Sequence, residues 1–513
     1  MGYVSHPKII PDAVEERKYQ MAMAKDCLGI NTLVVLPTGL GKTIIALYTA
    51  AVTLQSGKKV LLMAPTKPLV DQHASVFSNL LVGTRIGVMN GLMNPGTRKT
   101  MVDENDLVVS TPQCVANDLE NKLYGMEGFG LVIYDEAHRG TGNYAYVTVA
   151  GHCTKENRAM GLTASPGSDI KKVEEVCRNL GFLRIDVRTE NDPDVAPYIH
   201  ETYVKKIEVN MPKELLDIVD VLKKLLDHYF LELTGLRLTK ENWPPSTTHM
   251  LMIGDTLQKR LRRGERSATL YRGLTVQSIC IKILHAINLG ETQGMSSLRS
   301  YMIKLSEEAQ AQKGNKGGKE LVARKEYADA WDMVSCSKVE HPKVSKLMSL
   351  VSQILSSDPS SKVMVFTQYR DTCDILVEKL SIIEGASVGK LIGQSNGGLR
   401  QKEQIGILEE FRNGVRNVIV ATSVGEEGLD VASTNAVIFY EPVPSEIRTI
   451  QRRGRTGRKN DGEVFVLVAK GTMDEVFESS SQKKEDQMRS RLERLNRELM
   501  LSAEERQRKL RDF

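Results

Sequence analysis

The sequence predicts an α/β fold in which two doubly wound parallel-sheet domains bracket an all-helical domain. Three observations carry this prediction. Over residues 1–205, short β-branched runs without polar alternation are separated by helical patterns, the signature of strands covered on both faces. A second such series occupies residues 341–480. Between them, residues 206–340 show helical periodicity and no strand-like run.

The first domain's strands are expected at Thr32–Leu36, Lys59–Ala64, Leu107–Ser110, Leu131–Tyr134 and Ala159–Thr163. In the middle segment Pro212 opens a helix, with Leu215, Ile218, Val219, Leu222, Leu225, Leu226, Tyr229 and Leu233 spaced by threes and fours. Further helices are expected over 247–263, 270–290, 295–310 and 318–336. Gln312–Lys319, rich in glycine and lysine, reads as a flexible loop. The second series is expected at Val363–Thr367, Val388–Ile392, Asn417–Ala421, Ala436–Tyr440 and Gly462–Val468. Residues 481–513 are rich in Arg, Glu, Lys and Gln, with Leu492, Leu495 and Leu499 on one face, and read first as a solvated terminal helix, with docking back on the body as the alternative.

Composition sets the bounds. The 513 residues are too many for one core, and 41% apolar with 26% charged residues describes an ordinary soluble chain. No run is apolar enough to span a bilayer and no signal-peptide core opens the chain, so a cytoplasmic, non-membrane protein is expected. Cys27, Cys114, Cys153, Cys177, Cys280, Cys336 and Cys373 stand singly, without metal-ligand spacing, and read as reduced, buried thiols. A net charge of +5 permits a nucleic-acid partner without demanding one.

Chemistry enters at Leu36-Pro37-Thr38-Gly39-Leu40-Gly41-Lys42-Thr43, between one apolar run and the next. Strand, glycine-rich loop and helix, in that order, build a phosphate cradle from inward backbone N–H groups and a helix N-terminus. Lys42 would reach the β- and γ-phosphates and Thr43 would ligate Mg²⁺, although leucine stands at position 36 where the strict pattern has glycine. Asp135-Glu136-Ala137-His138 follows a later strand: Asp135 suits Mg²⁺, Glu136 suits the attacking water, and His138 would sense the γ-phosphate and signal to Gln451. Gln451–Arg458, dense in arginine, would supply Arg455 and Arg458 as arginine fingers from the other domain. Hydrolysis of ATP would then depend on domain closure.

This ordered set resembles superfamily 2 DEAH-type helicases, and within them the Hef/FANCM branched-DNA group, over about 440 residues from Arg17 to Arg458. The resemblance implies a pair of RecA-like domains. Tyr19-Gln20 looks like the adenine-reading element, with Gln20 on the base. Thr66 and Lys67, then Thr111, look like backbone-gripping residues of the first domain, and Thr163 and Ser165 like the coupling hydroxyls. In the second domain Thr367 and Thr422 would meet nucleic-acid phosphates, and Gly428 and Asp430 the nucleotide. The helical insertion, as in similar enzymes, would grip duplex arms through Lys259, Arg260, Arg262 and Arg263, with Arg272 nearby.

The resemblance implies an ATP- and Mg²⁺-dependent DNA helicase or translocase acting on forked, branched and single-stranded DNA, with an RNA-directed relative and an ATP-switched scaffold as the alternative readings. A monomer is expected, with partners in replication-fork repair. Glu16-Arg17-Lys18 spells the ERK of the nuclease carried by longer Hef chains, but position 22 is alanine where its aspartate belongs, so no nuclease activity is expected.

Overall fold

A computed structural model of the chain describes residues 2–167, 169–189, 192–198, 202–240, 242–311, 315–393, 398–422, 434–442 and 462–511. The first domain holds a seven-stranded sheet of β1 (Thr32–Val35), β2 (Lys59–Met63), β3 (Ile86–Met89), β4 (Leu107–Ser110), β5 (Phe129–Asp135), β6 (Arg158–Thr163) and β7 (Arg184–Val187). Its order is β3-β4-β2-β5-β6-β1-β7, and every pairing is parallel. Helices α1 (Lys18–Gly29), α2 (Lys42–Gln55), α3 (Lys67–Leu80), α4 (Pro95–Glu104), α5 (Pro112–Glu120), α6 (Ala145–His152) and α7 (Ile170–Leu180) cover it. Two apolar layers result, one on each face of the sheet. Strands β3 and β7 escape the sequence reading because they sit at the edges: a half-buried Ile-Gly-Val-Met and a charged Arg-Ile-Asp-Val lack a continuous apolar run.

The insertion contains α8 (Lys213–Gly235), α9 (Thr247–Arg262), α10 (Ala268–Thr292), α11 (Met295–Gln310), α12 (Lys316–Val322) and α13 (Lys325–Cys336). The stripe from Leu215 to Leu233 on α8 is buried against α10 and α13 as its spacing predicts. Burial of each such leucine contributes about 1.5–3 kcal/mol. The expected loop at Gln312–Lys319 is corrected in part: Lys316–Val322 is helical, capped by the Asn315 side chain on the Gly317 N–H. Gly317 is buried there, and a Cβ would stand 3.2 Å from both Ile279 and the Thr275 carbonyl, so the glycine serves close helix packing.

The second sheet has six strands, β8 (Thr202–Val209), β9 (Val363–Phe366), β10 (Val388–Leu391), β11 (Val418–Ala421), β12 (Ala436–Phe439) and β13 (Gly462–Ala469), in the order β10-β11-β9-β12-β13-β8. These too pair in parallel. Helices α14 (Pro342–Ser357), α15 (Arg370–Leu380) and α16 (Gln401–Arg412) flank them. Strand β8, split by the sequence reading between the first domain and the insertion, instead pairs along its whole length with β13. The chain thus visits the second sheet before entering the helical bundle.

Helix α17 (Met473–Arg511) leaves β13 and returns to the first domain. Met488, Leu492 and Leu495 are buried in the core beneath the first sheet, the Asn496 side chain accepts the Ile185 N–H at 2.8 Å, and Arg489 pairs with Asp192 at 2.7 Å. Of the two readings of this terminal helix the docked one holds, its leucine face filling an apolar groove. Of the cysteines, Cys27, Cys114, Cys177, Cys280 and Cys373 are buried, Cys153 is half-buried, and Cys336 is exposed, against expectation. Among the described residues no helix is long and apolar enough to cross a membrane.

Candidate nucleotide site and nucleic-acid face

In parallel α/β sheets ligands gather at the carboxyl ends of the strands. Strands β5, β6 and β1 lie side by side, so Asp135, Thr163 and the loop after Val35 converge although they are far apart in sequence. That loop is fastened to the sheet by the Leu36 N–H on the Thr163 carbonyl at 3.1 Å.

Gly39 and Gly41 have φ of 89° and 81°, the left-handed region that glycine enters without steric cost. Gly41 is the N-cap of α2, so the backbone N–H groups of its first turn face the cradle. Lys42 sits at the mouth with its Nζ on the Leu36 carbonyl at 2.9 Å, and Pro37, Thr38, Leu40 and Thr43 complete the loop. Gln20, on α1, is buried and donates through Nε2 to the Leu40 carbonyl at 2.9 Å, which Tyr19 also meets at 2.7 Å. The Gln20 Oε1 is buried without a hydrogen-bond donor. An orphan acceptor beside a glycine cradle fits a nucleotide whose base offers an amino group.

Substituting Gly41 tests this packing. A Cβ would stand 2.3 Å from Gln20 Nε2, at a φ that costs an L-residue about 1–2 kcal/mol. Gly41→Ala is expected to weaken nucleotide binding by about five- to thirtyfold, equivalent to that strain. Titration with a fluorescent ATP analogue checks it, and unchanged affinity would show that Gln20 and the loop are not coupled.

Asp135 ends β5 and is buried, with its Oδ2 2.8 Å from His73 Nε2. Burial pushes its carboxyl up, but the facing His73 and Lys42 outweigh that and hold it below the usual range, hence ionised. Tyr146 donates to the Asp135 carbonyl at 2.5 Å, fixing the strand end. His73 and Tyr146 were missed by the sequence reading. The buried stripe Val70, His73, Ala74, Phe77 on α3 is the signal that His73 faces inward.

Glu136 has a φ of 49° and a ψ of 48°, unusual for a side chain with a Cβ and typical of strained functional turns. Its Oε2 lies 3.3 Å from His138 Nδ1. His138 Nδ1 is also 3.0 Å from the Thr163 hydroxyl, which bonds the Ser165 carbonyl at 3.0 Å. Ser165 Oγ in turn meets Met488 Sδ of α17 at 3.1 Å. A chain of contacts therefore runs from the acidic turn through the expected coupling hydroxyls to the helix that joins the two domains.

Thr66 and Thr111 are the N-caps of α3 and α5, and neither hydroxyl caps its own helix. Thr66 and Lys67 are exposed and Thr111 is half-buried, at the same edge of the sheet. Thr367 is fully buried with its hydroxyl 3.3 Å from Glu441 Oε2, and Thr422 is also buried. Gly428, Asp430, Gln451, Arg455 and Arg458 lie outside the described residues. On the insertion, Lys259, Arg262 and Arg263 are exposed, Lys259 pairing with Asp255 at 2.6 Å. Arg260 bonds Glu265, and Arg272 is clamped between Glu232 and Glu320, a structural role that withdraws it from the expected DNA patch.

Residues 17–173 match the DEAD/DEAH box helicase family, 343–460 the helicase conserved C-terminal domain, and 214–341 the family described as "Putative ATP-dependent RNA helicase, helical bundle". The crystal structure of the Pyrococcus furiosus Hef helicase domain is similar at 40% identity and a TM-score of 0.69, over 91% of this chain and 98% of that one. A relative from Methanocaldococcus jannaschii, named "Putative ATP-dependent RNA helicase MJ1505", is 37% identical over 96% of this chain. The ATP-dependent DNA helicase mph1 of Neurospora crassa is 31% identical over 90% of it. This chain spans 63% and 41% of the lengths of those two relatives.

Proposed function

The chain belongs to the Hef/FANCM group of superfamily 2 helicases, and from that premise we propose that it is an ATP-driven motor acting on forked and branched DNA. The observation that carries the ATP half is the convergence of the Gly39–Thr43 cradle, ionised Asp135 and strained Glu136 on adjoining strand ends. In this reading Gln20 takes the base, Lys42 the distal phosphates, and Thr43 with Asp135 the Mg²⁺. The bound metal supplies charge neutralisation on the phosphates. Glu136 orients and deprotonates water, and His138 passes the state of the site to Thr163 and Ser165. Asp430 and Gly428 take the far side of the nucleotide, and Gln451, Arg455 and Arg458 close over it from the second domain.

The DNA half rests on Thr66, Lys67 and Thr111 at the carboxyl ends of β2 and β4, whereas Thr367 and Thr422, at the corresponding strand ends of the second sheet, are buried and carry none of it. Hydroxyls and helix N-termini hold phosphates without reading bases, so binding is sequence-tolerant and salt-sensitive. The relative named mph1 is a DNA helicase, whereas MJ1505 bears an RNA helicase name, and the RNA-directed reading is kept as the second outcome of one assay.

That assay is steady-state ATP hydrolysis with no nucleic acid, single-stranded DNA, forked DNA, a four-way junction and RNA duplexes, at two salt concentrations. Stimulation by forks and junctions is expected, lost as salt rises and lost in Lys42→Ala. Stimulation confined to RNA would transfer the motor to an RNA substrate, because only the 2′-hydroxyl distinguishes the two backbones.

A further inference from the structure

Far from the nucleotide cradle, the tip of the helical bundle carries a concave pocket of about 320 Å³, at the lower end of the range of small-ligand sites. Its walls are Trp243, Met252, Ile253 and Leu257, and its lining includes the cations Arg237 and Lys240. Among the described residues that line it there is no carboxylate. Trp243 is 44% exposed and is not loose: its ring packs on buried His249 at 4.6 Å. His249 is itself held by the Thr239 hydroxyl at 3.0 Å and lies 3.3 Å from the Pro244 carbonyl, both in the loop that presents Trp243. A rigid aromatic face is thus offered to solvent inside a cationic rim.

Arg237 adds a second observation. It adopts a φ of 57° at the end of α8, where the Leu238 N–H turns back to the Leu233 carbonyl at 3.0 Å. Glycine is the residue such a helix terminus favours. An arginine lining the pocket is thus kept at a backbone conformation that carries a conformational cost. From the pocket, α9 continues the positive surface, because Thr256, Lys259 and Arg263 follow one another at three and four residues. The four residues from Lys259 to Arg263 span about 6 Å, a spacing at which two cations can meet successive phosphates of a strand leaving the pocket.

We infer that this pocket receives one unpaired nucleobase of the bound DNA, stacked on Trp243 while Arg237, Lys240 and the α9 cations hold the flanking phosphates. Every base has a π-face, so such a receptor is sequence-tolerant, and it selects places where a base has left its duplex. The inference rests on the DNA reading above and adds to it a base-binding site remote from the motor cleft. It also gives the insertion a means of marking the branch point itself.

The test uses the full chain carrying Trp331→Phe, which leaves Trp243 as the only one of the two tryptophans. Three forks identical except at the branch are compared: one with an unpaired base, one with an abasic residue there, one fully paired. The unpaired base is expected to quench Trp243 fluorescence and to bind roughly five- to a hundredfold more tightly than the abasic fork. In a Trp331-containing chain, Trp243→Ala should erase that difference and Trp243→Phe should restore most of it. Arg237→Gly should raise the melting temperature, by relieving the left-handed strain, while weakening fork binding; a purely structural residue would not split the two. Equal affinity for all three forks, with fork-stimulated ATP hydrolysis intact, overturns the base pocket and leaves the branched-DNA motor standing. Absence of any DNA binding or stimulation overturns both.

Discussion

Replacing Glu136 by glutamine is expected to lower the turnover of ATP by about 10²–10⁴-fold, the contribution of a positioned general base. The substitution is nearly isosteric, so the left-handed turn at φ 49° and its contact with His138 should persist. Nucleotide affinity should hardly change, because the cradle is built from Gly39–Thr43 and Gln20 and does not involve the Glu136 side chain. Asp135 remains ionised against His73, so the proposed metal position should be preserved as well. Single-turnover hydrolysis alongside equilibrium nucleotide binding separates these quantities. Hydrolysis at the wild-type rate in Glu136→Gln would place the base elsewhere.

The largest expected effect on stability lies in the joint between the bundle and the second domain. Lys343 is wholly buried, paired with Asp474 at the start of α17, with its Nζ also 3.1 Å from the Thr292 carbonyl at the end of α10. Around it Glu291 accepts the Met473 N–H at 3.0 Å and pairs with Lys223 at 2.7 Å. His341 lies 3.1 Å from the Glu291 carbonyl through Nε2 and accepts the Lys343 N–H through Nδ1 at 3.2 Å. Burial, with Lys343 alongside, pushes the His341 pKa down to about 3, so the ring is neutral, as that pattern of one donor and one acceptor requires.

Lys343→Met should therefore cost about 3–5 kcal/mol, the penalty for stranding one member of a buried pair. Removing both charges, as in Lys343→Met with Asp474→Leu, should recover much of the loss. Burial already raises the Asp474 pKa, and a carboxyl raised in the folded state binds its proton more tightly there than when unfolded. Stability then falls as pH climbs through the ordinary aspartate range near about 4, and the deficit of the single variant should deepen in that direction. Urea unfolding followed by circular dichroism at two pH values measures both arms. Losses in Lys343→Met and in Asp474→Leu that add up to the loss of the double variant would mean that the pair carries no net coupling.

How much of this was legible in advance follows the physics of each signal. The central strands, such as Leu107–Ser110 and Val363–Phe366, are buried on both faces and so read as unbroken apolar runs. The stripe of α8 shows itself because one helix face packs against a continuous core. Edge strands β7 and β8 gave no such signal, since each is paired on one side only and tolerates Arg, Asp, Lys and Glu, and β3 is a short, half-buried Ile-Gly-Val-Met. Helix α17 reads first as solvated because its charge is counted locally, whereas docking, its second reading, depends on a groove formed far away in the chain.

At the site, the sequence by itself determined the chemistry: the cradle, the Asp135–Glu136 pair, His138 and the hydroxyls at positions 163 and 165 are short-range patterns that need only strand, loop and helix around them. Only the tertiary structure decided what those groups touch. His73 on Asp135, the orphan acceptor of Gln20, Met488 on Ser165, Arg272 locked between two glutamates and the pocket under Trp243 all join residues distant along the chain. The reason is that local propensity and spacing act over a few residues, while burial and pairing are settled when separate elements meet.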